Sequence, residues 1–203
     1  MNDKKHWYDG KFYDLFIAPN QDKLFRLIKG FVKPESTVID IGCGTGRLPL
    51  FLADKCKSVT GLDLSSKNIT VAENKLKSTQ IQNVEFRHSD ITTFENPGEK
   101  KYDYAIITYV LHEMPPEDRI KTLLQMKRLA SNVIIGDYVN PIPKTFYGYL
   151  TTVIEFLAGS DHYNNFKDYS KRGGLYYLLN ETGLKIIKEI KKEPNTLHLV
   201  MGE

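Results

Sequence analysis

Three carboxylates in this chain each stand where a strand-like run ends: Asp40, Asp63 and Asp90. The first opens Val38-Ile39-Asp40-Ile41-Gly42-Cys43-Gly44-Thr45-Gly46, an apolar strand pattern feeding a glycine-rich turn and then a helix pattern. Glycines 42, 44 and 46 let the backbone take positive φ and let a ligand lie on the main chain. In an open α/β sheet such a turn lies at the carboxyl edge of the strands, where ligands bind. The spacing narrows the ligand. A dinucleotide turn, G-x-G-x-x-G, needs a small residue where Arg47 stands, and no G-x-x-x-x-G-K-[ST] phosphate loop occurs. The second acid, in Gly61-Leu62-Asp63-Leu64-Ser65, comes about 20 residues after the glycine turn, the distance at which a carboxylate accepts both hydroxyls of a ribose. The third, in Ser89-Asp90-Ile91, can accept an adenine amino group, with Leu64 and Ile91 on the two faces of the base; a turn or helix cap is its other reading.

A nucleoside without phosphate fits this set. S-adenosylmethionine (SAM) is one, and Asp40 is placed to attract its ammonium directly or through water. After the fourth strand pattern comes Thr108-Tyr109-Val110-Leu111-His112-Glu113-Met114-Pro115. His112 has the titration range of a general base, with pocket lining or a turn cap as the alternative. Glu113 could bind an amine or a metal, or be an ordinary loop acid. His162 beside Asp161 reads as a surface pair, and no metal is assigned.

These motifs, in order and over roughly residues 35–140, resemble the class I SAM-dependent methyltransferases, in particular the small-molecule branch related to ubiquinone and menaquinone methyltransferases. The resemblance implies SAM as cofactor, held by Asp40, Gly42, Gly44, Gly46, Asp63, Leu64, Asp90, Ile91 and Tyr109, with Tyr13 in an N-terminal lid. It also implies the strand order 3-2-1-4-5-7-6 with an antiparallel last strand. The reaction is a direct displacement at an activated methyl group, so alignment alone supplies up to about 7–11 kcal/mol. A base is needed only for a protonated nucleophile.

The elements that must position these residues follow from hydropathy. Strand patterns at 37–41, 58–63, 83–88, 102–110 and 132–138 alternate with helix patterns at 20–31, 46–54, from Ser65 or Ser66 to 77, and 115–130. Short, almost wholly apolar strands imply a mostly parallel sheet covered on both faces. The expected fold is a Rossmann-like α/β three-layer sandwich with a seven-stranded sheet. Beyond Tyr138, helices are expected at 143–158 and 170–181, then strands at 184–190 and 196–202 joined by a turn at 192–195. One domain, 1–203, divides into a helical lid (1–33), a cofactor core (35–138), an aromatic helical cover for the acceptor (139–183) and a terminal hairpin (184–203). The aromatic cover favours a small hydrophobic or aromatic acceptor.

Composition weighs against other classes. A net charge of +3 gives no strong field for nucleic acid, and no N/D-P-P-Y/F follows the fourth strand, both against a base methyltransferase. Lys188, Lys191 and Lys192 read as a solvated face. Cys43 and Cys56 have no metal-ligand spacing and read as reduced thiols. No apolar run nears a membrane span and Met1–His6 opens no signal peptide, so a cytoplasmic location is expected. A protein or nucleic-acid methyltransferase, a SAM-holding regulatory module without catalysis, and a dinucleotide dehydrogenase remain as alternatives. Nothing in the pattern sets an oligomeric state.

Overall fold

The computed structural model describes residues 18–96, 98, 100–192 and 196–203, with the backbone alone for 18–20. Tyr13 and most of the proposed lid lie outside the described residues, as do 193–195 of the expected turn. The elements are α1 (Ala18–Phe31), β1 (Thr37–Ile41), α2 (Arg47–Leu52), β2 (Ser58–Asp63), α3 (Ser66–Lys77), β3 (Val84–His88), β4 (Tyr102–Thr108), a single 3₁₀ turn (Leu111–Glu113), α4 (Pro116–Leu129), β5 (Ala130–Tyr138), α5 (Phe146–Leu157), α6 (Ser160–Arg172), α7 (Leu175–Thr182), β6 (Ile186–Lys192) and β7 (Leu197–Gly202).

The seven strands form one sheet in the order β3-β2-β1-β4-β5-β7-β6. The first five run parallel, and β7 pairs antiparallel with both β5 and β6. Both the strand order and the antiparallel end match the expectation. Side-chain alternation explains why both faces are covered. Val38, Tyr104, Ile106 and Ile134 meet Leu24 and Ile28 of α1, Leu48 and Leu52 of α2 and Ile69 of α3 on one face. Ile39, Ile41, Ile107 and Ile135 meet Leu123 and Met126 of α4 and Leu178 of α7 on the other. The switch between β1 and β4 opens a crevice at the carboxyl ends of these strands.

Local chemistry sets the helix starts. Ser65 caps α3, its hydroxyl accepting from the Asn68 amide at 3.2 Å. Pro116 opens α4, with Glu117 and Asp118 in its first turn. Past β5 the expectation of two helices is corrected: three occur, and α6 occupies a stretch read as loop. The terminal edge strand β6 is largely exposed; Lys188 lies 5.4 Å over the Phe31 ring and Lys191 4.3 Å over Tyr176. Among the described residues no helix is long and apolar enough to cross a membrane.

Candidate functional site

A cavity of about 850 Å³ opens above the β1–β4 switch. The glycine turn forms its floor. Gly42, Gly44 and Gly46 have φ of 69°, 54° and 79°. A Cβ at Gly42 would stand 2.6 Å from a Val110 methyl, and one at Gly46 2.5 Å from the Phe86 ring. Those two glycines are demanded by packing. Gly44 has open space above it and presents bare backbone to the cavity.

Asp40 lines the cavity but is only 2% exposed. Its Oδ1 is one of two buried side-chain polar atoms without a hydrogen-bond partner among the described residues. Burial and then the negative charge of Asp63 push its carboxyl well above the usual carboxylate range. A buried carboxylate without a partner is costly unless a cation or donor meets it, so this position suits the ammonium of an amino-acid ligand. Asp63 ties two turns together: Oδ2 accepts from the Gly44 amide at 2.8 Å, and Oδ1 from the Ser65 amide at 2.9 Å and from Asn68 Nδ2 at 3.3 Å. It too lines the cavity, with Leu64 and Ile91.

Asp90 differs from the expectation. Its Oδ1 accepts from the Thr92 amide and hydroxyl, both at 2.8 Å, and Asp90 is not part of the cavity wall, although its neighbours Ser89 and Ile91 are. The geometry is that of a turn acid satisfied by its own loop. Tyr109 does line the cavity, in the left-handed region at φ 53°, its amide donating to the Gly136 carbonyl at 2.8 Å.

His112 also stands elsewhere than expected. It is 3% exposed and lies behind the cavity wall rather than in it. Its backbone amide and Nδ1 both meet Asp137, at 3.2 and 2.7 Å, and its Nε2 is 3.5 Å from Glu155 Oε2. Burial opposes charge on the ring, but the Asp137 and Glu155 carboxylates prevail and raise its pKa well above the ordinary value. Burial works the other way on Glu155, and the two imidazoles facing it outweigh burial and lower its pKa. His162 is no loop surface residue. It projects from α6 into the cavity wall, with Nε2 2.5 Å from Glu155 Oε2 and Nδ1 3.3 Å from Glu113 Oε2. Glu113 lines the wall as well, and its carbonyl accepts from Asn165 Nδ2 at 2.8 Å.

Sequence reasoning missed Asp137, Glu155 and Asn165, and read Tyr138 only as part of the aromatic cover. Two signals were available. Asp137 is the sole charge of β5, next to last in an apolar run, and Glu155 is the sole charge in the apolar run of α5. The aromatic cover is also arranged differently. Phe146, Tyr149 and Phe156 are 63–75% exposed, and the 158–165 stretch meets the cavity through Ser160, Asp161, His162 and Asn165 instead.

Residues 38–132 match the family model described as "Methyltransferase domain". An uncharacterized methyltransferase of Staphylococcus carnosus is 28% identical over 160 residues, 75% of this chain and 72% of that protein. A demethylmenaquinone methyltransferase of Listeria welshimeri is 31% identical over 110 residues, 53% of this chain. An uncharacterized RNA methyltransferase of Clostridium tetani is 28% identical over 138 residues, 66% of this chain. The chain spans only 43% and 28% of the lengths of those last two relatives. In fold, it is similar to magnesium protoporphyrin IX methyltransferase from Synechocystis with bound S-adenosylhomocysteine, at TM-score 0.66 and 20% identity, covering 100% of this chain and 89% of that one. The methyltransferase domain matched over residues 38–132, the sheet order and a cavity bounded by Asp40, Gly44 and Asp63 together support a class I SAM-dependent methyltransferase.

Proposed function

We propose that this protein transfers the methyl group of SAM to a small-molecule acceptor that enters between the 109–114 turn and the start of α6. The observation that supports this most is the partnerless Asp40 oxygen beside the open backbone of Gly44, in a cavity that continues to Tyr109, Glu113 and His162. SAM supplies an activated methyl on a sulfonium. The chain's residues bind and align. Asp40 receives the ammonium, Asp63 the ribose hydroxyls, and Leu64 with Ile91 the adenine faces. Tyr109, Val110 and Met114 give the acceptor end an apolar wall, which favours a hydrophobic or aromatic body. Glu113, His162 and Asn165 add a polar edge that can fix one heteroatom of that body. His112, behind the wall, positions His162 through Glu155.

Calorimetric titration separates this reading from a dinucleotide enzyme: SAM binds and NAD does not. Asp63→Ala is expected to weaken SAM binding by roughly 10–100-fold, the scale of a lost charged hydrogen-bonding group. Release of S-adenosylhomocysteine across a panel of small phenols, quinols, amines and thiols tests the transfer, with an oligonucleotide as the competing acceptor. Wild-type SAM affinity in a folded Asp63→Ala variant, or methylation of the oligonucleotide alone, counts against the proposal.

A further inference from the structure

The buried cluster behind the acceptor wall has the composition of a metal centre. His112, Glu155 and His162 each offer one ligand atom within 4.8 Å of the others, and Nε2 of both rings faces Glu155 Oε2, at 3.5 and 2.5 Å. They come from the 3₁₀ turn, α5 and α6, so tertiary packing rather than local sequence brings them together. The remaining donor of each group is already engaged. His112 Nδ1 meets Asp137 Oδ1 at 2.7 Å, His162 Nδ1 meets Glu113 Oε2 at 3.3 Å, and Glu155 Oε1 accepts from the Tyr138 hydroxyl at 2.9 Å. Carboxylates on the far nitrogens of ligating histidines fix ring orientation and raise ligand basicity, and such outer partners accompany nearly every histidine metal site. An ion network held together by pairing alone has no need for both rings to turn their Nε2 atoms onto one carboxylate oxygen while both Nδ1 atoms are held from outside.

We infer that His112, Glu155 and His162 form a binding site for one divalent transition ion of the zinc class. Two imidazoles and one carboxylate suit zinc, cobalt, nickel or ferrous ions, whereas magnesium and calcium take oxygen ligands. Zinc bonds of about 2.0–2.2 Å at tetrahedral angles place ligand atoms about 3.4 Å apart. The His112–Glu155 pair stands at 3.5 Å, while the His162–Glu155 pair, at 2.5 Å, shares a proton and must open by about 1 Å. The ion takes the place of the protons that both Nε2 atoms turn toward Glu155, and these leave to solvent. His162 lines the acceptor end of the cavity, so an ion held there stands at the wall that the acceptor meets. Resting on the proposed methyl transfer, its further role is to take the acceptor's hydroxyl or thiol as a fourth ligand and hold it deprotonated, the proton passing to solvent.

The untagged, chelator-stripped full chain, titrated with Zn²⁺ against a chromophoric chelator, is expected to bind one ion per chain, with Mg²⁺ not competing. His162→Ala should weaken Zn²⁺ at least about 100-fold, and Tyr138→Phe, which disturbs only the support of Glu155, about 10-fold. His162 lies at the cavity wall, and circular dichroism on its variant confirms folding. SAM affinity is measured on the same samples and should stay within about twofold. Absence of stoichiometric Zn²⁺ binding, equal competition by Mg²⁺, or unchanged Zn²⁺ affinity in folded His162→Ala overturns the site. Loss of SAM binding by the wild-type chain would instead overturn the methyl-donor reading and leave the metal result standing.

Discussion

Asp40 behaves as a carboxylate waiting for a cation. Its pKa is raised above 3.8 by burial and by Asp63, so the ligand-free protein keeps the Asp40 proton to higher pH than the unfolded chain does. The stability this contributes is present at low pH and is lost as pH rises through the raised folded value. With Asp40 in the proposed ammonium role, SAM binding has the opposite slope, because the ammonium needs the carboxylate ionised. Titrations at successive pH values should show SAM affinity falling on acidification, with a midpoint above the ordinary carboxylate value, and Asp40→Asn should bind weakly and without that dependence. A flat wild-type profile would remove the ammonium role from Asp40. The legibility of individual residues in the sequence tracks how local their partners are. Asp40, Gly42, Gly44 and Asp63 sit at fixed offsets from strand ends, so spacing alone nominates them, and all four line the cavity. Asp90 had Thr92 two residues on to satisfy it, a pairing the sequence displays, and the structure shows that turn. Glu155 was hidden because both its histidine partners arrive from other elements.

At the level of elements, Arg119 holds the acceptor side together. It is 1% exposed, and its Nε donates to the Leu111 carbonyl at 2.9 Å, Nη1 to Asp168 at 2.8 Å and Nη2 to the Asn165 carbonyl at 2.6 Å. One guanidinium thus joins α4, the 3₁₀ turn and α6, and its planar fork of donors makes this possible. Arg119→Ala leaves two carbonyls and a carboxylate to find new partners, and a loss of roughly 3 kcal/mol is expected in urea unfolding. Catalysis should suffer beyond that loss, since Asn165 also donates to the Glu113 carbonyl. A stability change under about 0.5 kcal/mol, the level of an ordinary surface substitution, would show that the three bonds are dispensable. The strands were readable because buried parallel strands are nearly continuous apolar runs. Helix α6 was not, because Ser-Asp-His-Tyr-Asn-Asn-Phe is poor in strong helix formers and only Phe166 and Tyr169 are buried. What holds α6 in place is Arg119 and Asn165, and neither leaves a periodic trace.

For the molecule as a whole, the cavity sits at the carboxyl ends of the paired strands β1 and β4, lined by the loops that follow β1, β2 and β4, so a ligand there bridges both halves of the sheet. Saturating SAM at 100 times its dissociation constant should stabilise the fold by about 2.7 kcal/mol. For a domain of this size that raises the thermal midpoint by about 5–10 °C. Differential scanning fluorimetry with SAM, S-adenosylhomocysteine and NAD tests this, and an equal shift with NAD would contradict the nucleoside assignment. The sheet order came from family resemblance rather than from the strands, whose apolar runs say that they are buried but not which neighbour each one takes. The far rim of that sheet has a consequence of its own. The edge strand β6 leaves one row of backbone donors and acceptors open to any passing extended chain, and its own Ile186 and Ile187 are exposed and sticky. Lys188, Lys191 and Lys192 crowd that border with like charge, and an incoming copy would have to desolvate the same lysines twice, which keeps concentrated protein from stacking rim to rim into fibrils.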